Sequence, residues 1–142
     1  MIKVVLDRGA YKPEKAHRTD AGYDLRSPMR VIVPASTGYG AGTAVIDTGV
    51  HIAIPEGWAG VMISKSGLNR NFGILSTGLI DCGYRGSIVV KLYNHSGKPY
   101  IVERGDKISQ LVITPISTEE LVQVEELDET ERGDGGFGSS GR

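Results

Sequence analysis

The sequence lacks the features that mark a secreted, membrane-spanning or metal-cluster protein. It contains one cysteine, Cys82, which excludes an intrachain disulfide, and one thiol with three histidines falls short of a zinc cluster. The amino-terminal apolar run covers only 4–6 before charges resume, so neither a signal peptide nor a transit sequence is expected. No stretch approaches the roughly 20 apolar residues of a membrane span. We therefore expect a cytoplasmic protein that contacts no membrane.

The chain also lacks an excess of charge of either sign. Its 16 lysines and arginines nearly balance 17 aspartates and glutamates, for a formal net charge of -1. Without a global basic field, we expect no binding to nucleic acid. Glycine, in contrast, is abundant at 20 of 142 residues, about twice the usual share, which predicts many turns and few long helices. The length fits a single domain.

Short apolar runs with β-branched residues and alternating polarity predict seven or more strands. Turn signals separate them at the spacing of an all-β sandwich or barrel. The one expected helix spans 66–72, with Ser66 as its cap and Gly73 at its end. Residues 117–127 combine a possible capping box with alternation, and the alternation favours a strand. The predicted strand runs are 3–6, 30–33, 45–54, 61–64, 88–93, 107–113 and 121–127.

From Thr130 the composition becomes rich in glycine, which predicts a flexible carboxy-terminal arm over 130–142 after a β domain over 1–129. Gly133, Gly135 and Gly138 have the spacing of a dinucleotide fingerprint, but too few residues follow to form a helix. A phosphate-binding P-loop fails for the same reason, and Ser139 and Ser140 stand where its lysine and hydroxyl residue belong. Two interpretations stay open: a disordered tail, or a segment that wraps phosphates and stacks a ring on a base.

Four further clusters contain residues that could bind or react with a ligand, and each also has a purely structural interpretation. At 78–86, Asp81 lies between glycines and can accept a proton from water, or simply form a turn above Tyr84. No neighbouring feature activates Cys82 as a nucleophile. At 64–68, Lys65 precedes the start of the predicted helix, where free N–H groups attract an anion or are merely capped.

The remaining two clusters each hold one polar residue of interest. At 21–25, Asp24 can hold water ligands of Mg²⁺ or act as a turn residue. At 105–111, the Gln110 amide can bond an anion or the sheet. His17, His51 and His95 lack metal-ligand spacing and are interpreted as surface or packing residues.

Taken in order, these five clusters resemble the five motifs of the trimeric dUTPase family. They read AGYDL at 21–25, SKSGL at 64–68, GLIDCGYRG at 78–86, GDKISQL at 105–111 and RGDGGFGSSG at 132–141. The resemblance covers nearly the whole chain. It implies a distorted jelly-roll or barrel-like subunit with one short helix, assembled as a homotrimer with sites at the subunit interfaces. It also implies Mg²⁺-assisted hydrolysis of dUTP to dUMP and pyrophosphate, which limits uracil in DNA and supplies dUMP for thymidylate synthesis.

The resemblance assigns a role to each motif. Asp81 would activate the water that attacks the α-phosphorus, and Tyr84 would pack on the deoxyribose and exclude a 2′-hydroxyl. Main-chain groups near Gly78 and Ile80 would pair with uracil, and Asp24 would hold Mg²⁺ through water. Arg132 would reach the γ-phosphate, and Phe137 would cover the uracil when the arm closes as a lid. The full set of implied substrate-binding residues is Lys65, Ser66, Gly67, Leu75, Gly78, Leu79, Ile80, Tyr84, Gln110, Arg132, Phe137, Gly138, Ser139 and Ser140.

Four positions depart from the family pattern. Lys65 and Lys107 stand where arginine is usual, which keeps the charge and loses bidentate geometry, and Ser64 replaces a usual proline. Leu75 lies where some relatives have a side chain that helps to recognise uracil, so specificity would rest on the main chain. Two alternatives are a dCTP deaminase on the same fold, which would lack the arm, and a nucleotide-bound switch that signals to a partner protein.

Overall fold

Ten β-strands and one short helix form the regular structure in the computed structural model, which describes residues 1–136. This composition confirms the predicted all-β class with a single short helix. No helix in the described part is long and apolar enough to cross a membrane. In chain order the elements are β1 (Lys3–Leu6), β2 (Gly22–Arg26), β3 (Val31–Val33), β4 (Gly42–Asp47), β5 (Val50–Ala53), β6 (Trp58–Ile63), α1 (Ser66–Phe72), β7 (Ile74–Ile80), β8 (Val89–Asn94), β9 (Tyr100–Val102) and β10 (Lys107–Pro115).

One six-stranded sheet and two strand pairs surround the core. The large sheet has the order β2-β10-β6-β7-β8-β4, and the small sheets are β1-β5 and β3-β9. Every pair is antiparallel. Inward-facing residues of all three sheets meet in one apolar cluster, as expected for a distorted jelly roll. Its largest fully buried aliphatic side chains are Leu25, Ile46, Ile74, Ile88, Leu92, Ile108 and Leu111.

The helix has the predicted bounds but a different cap. Gly73 ends it in the left-handed conformation at φ 65°, which glycine adopts without strain. The residue before the helix is Lys65, in extended conformation, and it makes no side-chain capping bond. The prediction that Ser66 caps the helix was therefore wrong, because Ser66 is already its first helical residue.

The observed strands β2, β7 and β9 were not among the predicted strand runs, and two of the predicted runs differ from the structure. The run over 45–54 is divided between β4 and β5 by a turn at Gly49, whose φ is 65°. The strand predicted over 121–127 was wrong: no strand follows β10 within the described residues, and Leu121 and Leu127 are 99% and 85% exposed. An alternating segment becomes a strand only where another edge accepts its main-chain bonds. Within residues 1–136, the last hydrogen bond to the strand-bearing part of the chain is that of the Ile116 N–H to the Gly57 carbonyl, at 2.9 Å.

Candidate functional site

A buried carboxylate lies between two lysines at the edge strand β2. Asp24 is only 6% exposed. Its Oδ1 accepts a hydrogen bond from Nζ of Lys65 at 2.8 Å, and its Oδ2 pairs with Nζ of Lys107 at 2.6 Å. Gln110 of β10 is directly opposite Asp24, so both side chains project from the same face of the sheet. We call these four residues the Asp24 cluster. The structure thus brings together predicted residues of three motifs.

The two lysines keep Asp24 ionised. Burial raises the pKa of this carboxyl group, but hydrogen bonds from Lys107 and Lys65, with their positive charges, hold the pKa below its ordinary value of 3.8. A cavity of about 140 Å³ adjoins the carboxylate and is lined also by Glu14 and Arg26. The cluster therefore offers one ionised carboxylate and two ammonium groups beside open space.

The start of α1 lies next to this cluster in the chain. Ser66 and Gly67 are exposed in the first turn, and no side chain caps their main-chain N–H groups. Preceding them, Ser64 closes the end of β6 against β7: its Oγ donates to the Ser76 carbonyl at 3.0 Å and accepts from the Ser76 N–H at 2.8 Å. Ser64 thus holds the entrance to the helix in place.

Strands β7 and β8 pair over only part of their lengths, and a gap opens beyond. Their ladder covers 74–76 and ends there, whereas β7 continues beside β6 to Ile80. The His95 N–H bonds the Gly73 carbonyl at 3.0 Å, which fixes the alternation along both strands. Main-chain N–H and C=O groups alternate in direction along a strand, so those of Leu79 point toward β8 and those of Val89 point toward β7, across the gap. Those of Gly78 and Ile80 face β6. We call this opening the β7–β8 gap.

Asp81 is located at the end of this gap away from the 74–76 ladder, where the chain turns back toward β8. It is exposed and follows the last residue of β7. The Tyr84 N–H bonds its carbonyl at 3.1 Å, which makes 81–84 a tight turn. The Tyr84 ring covers Gly86, and its hydroxyl donates to the Ser87 carbonyl at 3.0 Å. A cavity of about 190 Å³ extends from the β7–β8 gap to the Asp81 turn. It is lined by Met62, Leu79, Ile80, Asp81, Tyr84, Ser87 and Val89.

The Asp24 cluster and the Asp81 turn lie apart within one subunit. Gln110, Ile63 and Thr77 occupy one row across the sheet with Asp24. Asp81 lies three strands across and four residues along from Asp24, which places it about 20 Å away at ordinary sheet spacings. One subunit therefore presents two separated groups of predicted site residues.

The other predicted residues lie outside both groups or beyond the described chain. Leu75 is half-buried and pairs with Tyr93, at the closed part of the β7–β8 ladder. Arg132 is exposed, and its Nε bonds the Gly135 carbonyl of its own turn at 2.8 Å. Phe137, Gly138, Ser139 and Ser140 lie outside the described residues.

Sequence reasoning missed three contributors to these groups. No feature of the sequence indicates the contact between Lys107 and Asp24. Met62 and Val89 line the Asp81 cavity although both belong to ordinary apolar runs. Alternation gives no sign of which apolar residues face a gap, since that depends on where a ladder ends.

Comparisons with known proteins agree on one family. A family model described as dUTPase matches residues 9–141. The deoxyuridine 5′-triphosphate nucleotidohydrolase of Oryza sativa subsp. japonica is 43% identical over 137 residues, 96% of this chain and 77% of the relative. That of Arabidopsis thaliana is 44% identical over 137 residues, 96% and 80% of the two chains. The solved structure of Staphylococcus bacteriophage 80alpha dUTPase with dUPNHPP is 35% identical with a TM-score of 0.89, and the match covers 100% of this chain and 99% of that one.

Proposed function

The chain belongs to the dUTPase family of deoxyuridine 5′-triphosphate nucleotidohydrolases, and we propose that it hydrolyses dUTP to dUMP and pyrophosphate by attack of water at the α-phosphorus. In a cell this reaction limits uracil in DNA and supplies dUMP for thymidylate synthesis. The observation that carries the proposal is the β7–β8 gap with Asp81 at its end. It supplies a slot for a flat base and a carboxylate beside it.

The gap suits uracil because its walls are main-chain groups at fixed positions. The N–H and C=O groups of Leu79, flanked by Gly78 and Ile80, would pair with the edge of the base. At ring positions 3 and 4, cytosine presents an acceptor and a donor where uracil presents a donor and an acceptor, and a mispaired buried edge is heavily penalised. The narrow slot would also exclude the methyl group of thymine by volume. Leu75 lies deeper along β7 and leaves recognition to the main chain.

Asp81 would act as the general base. In the proposed step the water oxygen bonds to the α-phosphorus while the bond to the bridging oxygen of the β-phosphate breaks. The water proton passes to the Asp81 carboxylate, and pyrophosphate leaves with the bridging oxygen. Proton transfer of this kind contributes about 10²–10⁴ in rate. Tyr84, whose ring covers the turn after Asp81, would pack on the deoxyribose and leave no room for a 2′-hydroxyl.

The Asp24 cluster would receive the triphosphate. Lys65 and Gln110, with Ser66 and Gly67 at the start of α1, would hold the phosphate oxygens. Charge and donors in fixed positions are most of what phosphoryl transfer needs from a protein.

The residues present fit Mg²⁺ held by the nucleotide and by water. Within residues 1–136, no group of three or more acidic, histidine or cysteine side chains converges to form a protein cage for a metal. One ionised carboxylate, Asp24, instead suits an ion that keeps its water ligands, which is the usual state of nucleotide-bound Mg²⁺. When bound, the ion neutralises phosphate charge. Asp24 would accept hydrogen bonds from its water ligands.

The separation of Asp24 from Asp81 favours sites made by more than one subunit. About 20 Å along and across a sheet exceeds what one bound nucleotide spans, so we propose a homotrimer in which the Asp24 cluster of one subunit faces the β7–β8 gap of the next. The segment 130–142 would form an arm that closes over this site after a β domain of 1–129. Arg132 would then reach the γ-phosphate, with Phe137 over the base and Gly138, Ser139 and Ser140 along the phosphates.

Pyrophosphate release tests the function directly. Wild-type protein and Asp81→Asn are assayed with Mg²⁺ on dUTP, dCTP, dTTP and UTP side by side. We expect release from dUTP alone, and loss of at least about 10²-fold in the variant. Ammonia release from dCTP, or no turnover of any nucleotide by wild-type protein, would contradict the proposal.

A further inference from the structure

The chain returning from the Asp81 turn to β8 is fastened to the turn between β4 and β5. The Arg85 carbonyl is 2.8 Å from Nδ1 of His51. Two residues on, the Ser87 hydroxyl donates to Oδ1 of Asp47. The main chain of Ile88 bonds to Thr48 and Val50 on either side. Because the Tyr84 hydroxyl also bonds the Ser87 carbonyl, the position of the tyrosine ring depends on this attachment.

His51 contacts two acceptors at once. Its Nδ1 faces the Arg85 carbonyl, and its Nε2 lies 3.3 Å from Oδ2 of Asp7, at the end of β1. A carbonyl and a carboxylate both accept hydrogen bonds, so both ring nitrogens must carry protons for both bonds to exist. A neutral ring has one N–H, so it can keep only one of the two bonds, either that to the Arg85 carbonyl or that to Asp7. The contacts of His51 therefore depend on its protonation.

The charged groups around His51 favour the doubly protonated ring. The carboxylates of Asp7, beyond β1, and Asp47, at the end of β4, are the acidic groups that act on it. The guanidinium of Arg85 is engaged by its own turn, where its Nη1 donates to the carbonyls of Cys82 and Tyr84 at 2.6 and 2.8 Å. The bond to the Arg85 carbonyl and then the bond to Asp7 raise the pKa of His51 above its ordinary value of 6.5.

We propose that His51 is a positioning residue for the Asp81–Tyr84 turn: its cationic ring ties the turn to β1 and β5, and loss of one proton loosens that tie. The effect on catalysis rests on the proposed function, whereas the coupling between His51 and the turn does not. A raised pKa means that the bonds are complete below pH 6.5 and are lost as the pH rises through the pKa of the folded protein. Turnover then declines over that interval because Asp81 and Tyr84 are held less firmly.

The test separates structure from catalysis. Imidazole and amide NMR signals of full-length wild-type protein are followed from pH 5.5 to 9, together with kcat and KM for dUTP. The variants are His51→Asn, Asp7→Asn and the matched control His95→Asn, whose native side chain is exposed and distant from the turn. Thermal unfolding of each variant is measured in parallel.

We expect the amides of residues 84–87 to titrate with the His51 ring in wild type and in His95→Asn. In His51→Asn that titration disappears, and kcat falls about three- to tenfold below pH 7 with KM nearly unchanged. Asp7→Asn, at an exposed position, lowers the titration midpoint of His51. The proposal is overturned if the His51 ring titrates without any change at 84–87. It is equally overturned if His51→Asn alters thermal stability alone and retains the wild-type pH profile. Absent turnover by wild-type protein would instead count against the proposed function.

Discussion

Gly86 fixes the position of Tyr84 because only a residue without a side chain fits beneath the ring. A Cβ atom at position 86 would overlap the tyrosine ring and its hydroxyl. We predict that Gly86→Ala displaces Tyr84 and lowers kcat/KM for dUTP by at least about tenfold. The preference for dUTP over UTP should shrink at the same time. Steady-state kinetics with both nucleotides measures both effects.

Gly83 provides the matched control in the same turn. A Cβ there meets no atom within 4 Å, and its φ is not in the left-handed region. Gly83→Ala should retain nearly full activity and the same sugar preference. Equal losses in the two variants would show that the turn tolerates no side chain at all, and the proposed role of the Tyr84 ring would be wrong.

The ion pairs of Asp24 predict how stability responds to acid. Because its pKa is lowered in the folded protein, the carboxylate stabilises the fold above its unfolded value of 3.8, and this contribution is lost as the pH falls through the folded pKa. Lys107→Met removes one cause of the lowered pKa. We expect it to cost about 1–2 kcal/mol near pH 7, allowing for a partly exposed ammonium, and less at pH 3.

Urea unfolding between pH 3 and 7 measures this difference. Lys98→Met is the control, since the ammonium of Lys98 makes no ion pair among the described residues. Parallel stability curves for wild type and Lys107→Met would refute the coupling to Asp24.

At the scale of elements, Ser64 joins β6 to β7 around the short helix. Its hydroxyl satisfies both main-chain groups of Ser76, and the Ser76 hydroxyl in turn bonds that of Ser109 in the core, at 2.9 Å. Ser64→Ala should cost about 1–3 kcal/mol because it leaves those groups unpaired. Ser66→Ala, which removes an exposed hydroxyl, should leave stability unchanged and raise KM for dUTP. Chemical unfolding and kinetics on both variants distinguish a structural serine from a phosphate-binding one.

Sequence patterns predicted correctly those elements that depend on neighbouring residues in the chain. The helix over 66–72 was predicted at its observed bounds because Gly73 provides the positive φ that ends it. The segment over 121–127 alternates like a strand, yet strand formation needs a partner edge that sequence does not reveal. In the same way, motif residues indicated Asp81 and Tyr84, whereas the gap beside them depends on where the β7–β8 ladder stops.

At the scale of the molecule, the carboxy-terminal segment suits contact with another subunit. Residues 117–134 are exposed throughout, and within 1–136 the hydrogen bonds made by 117–136 stay inside the segment. Leu121, Val122 and Val124 thus expose apolar surface that the rest of the subunit does not cover. We expect this segment to pack on a neighbouring chain, where these side chains would be covered.

Mixed oligomers test whether each site combines two subunits. Asp81→Asn removes the proposed base, and Gln110→Ala removes part of the phosphate site, two strands across the sheet and about 16 Å away in the same chain. If every site takes Asp81 from one subunit and Gln110 from its neighbour, each variant alone is weakly active. Trimers assembled from an equal mixture then contain both native residues in about a quarter of their sites. We expect co-refolded mixtures to recover about that share of wild-type turnover, whereas separately folded samples mixed afterwards recover it only as fast as subunits exchange. A co-refolded mixture no more active than the average of its components would place both residues in one subunit's site and would rule out the shared arrangement.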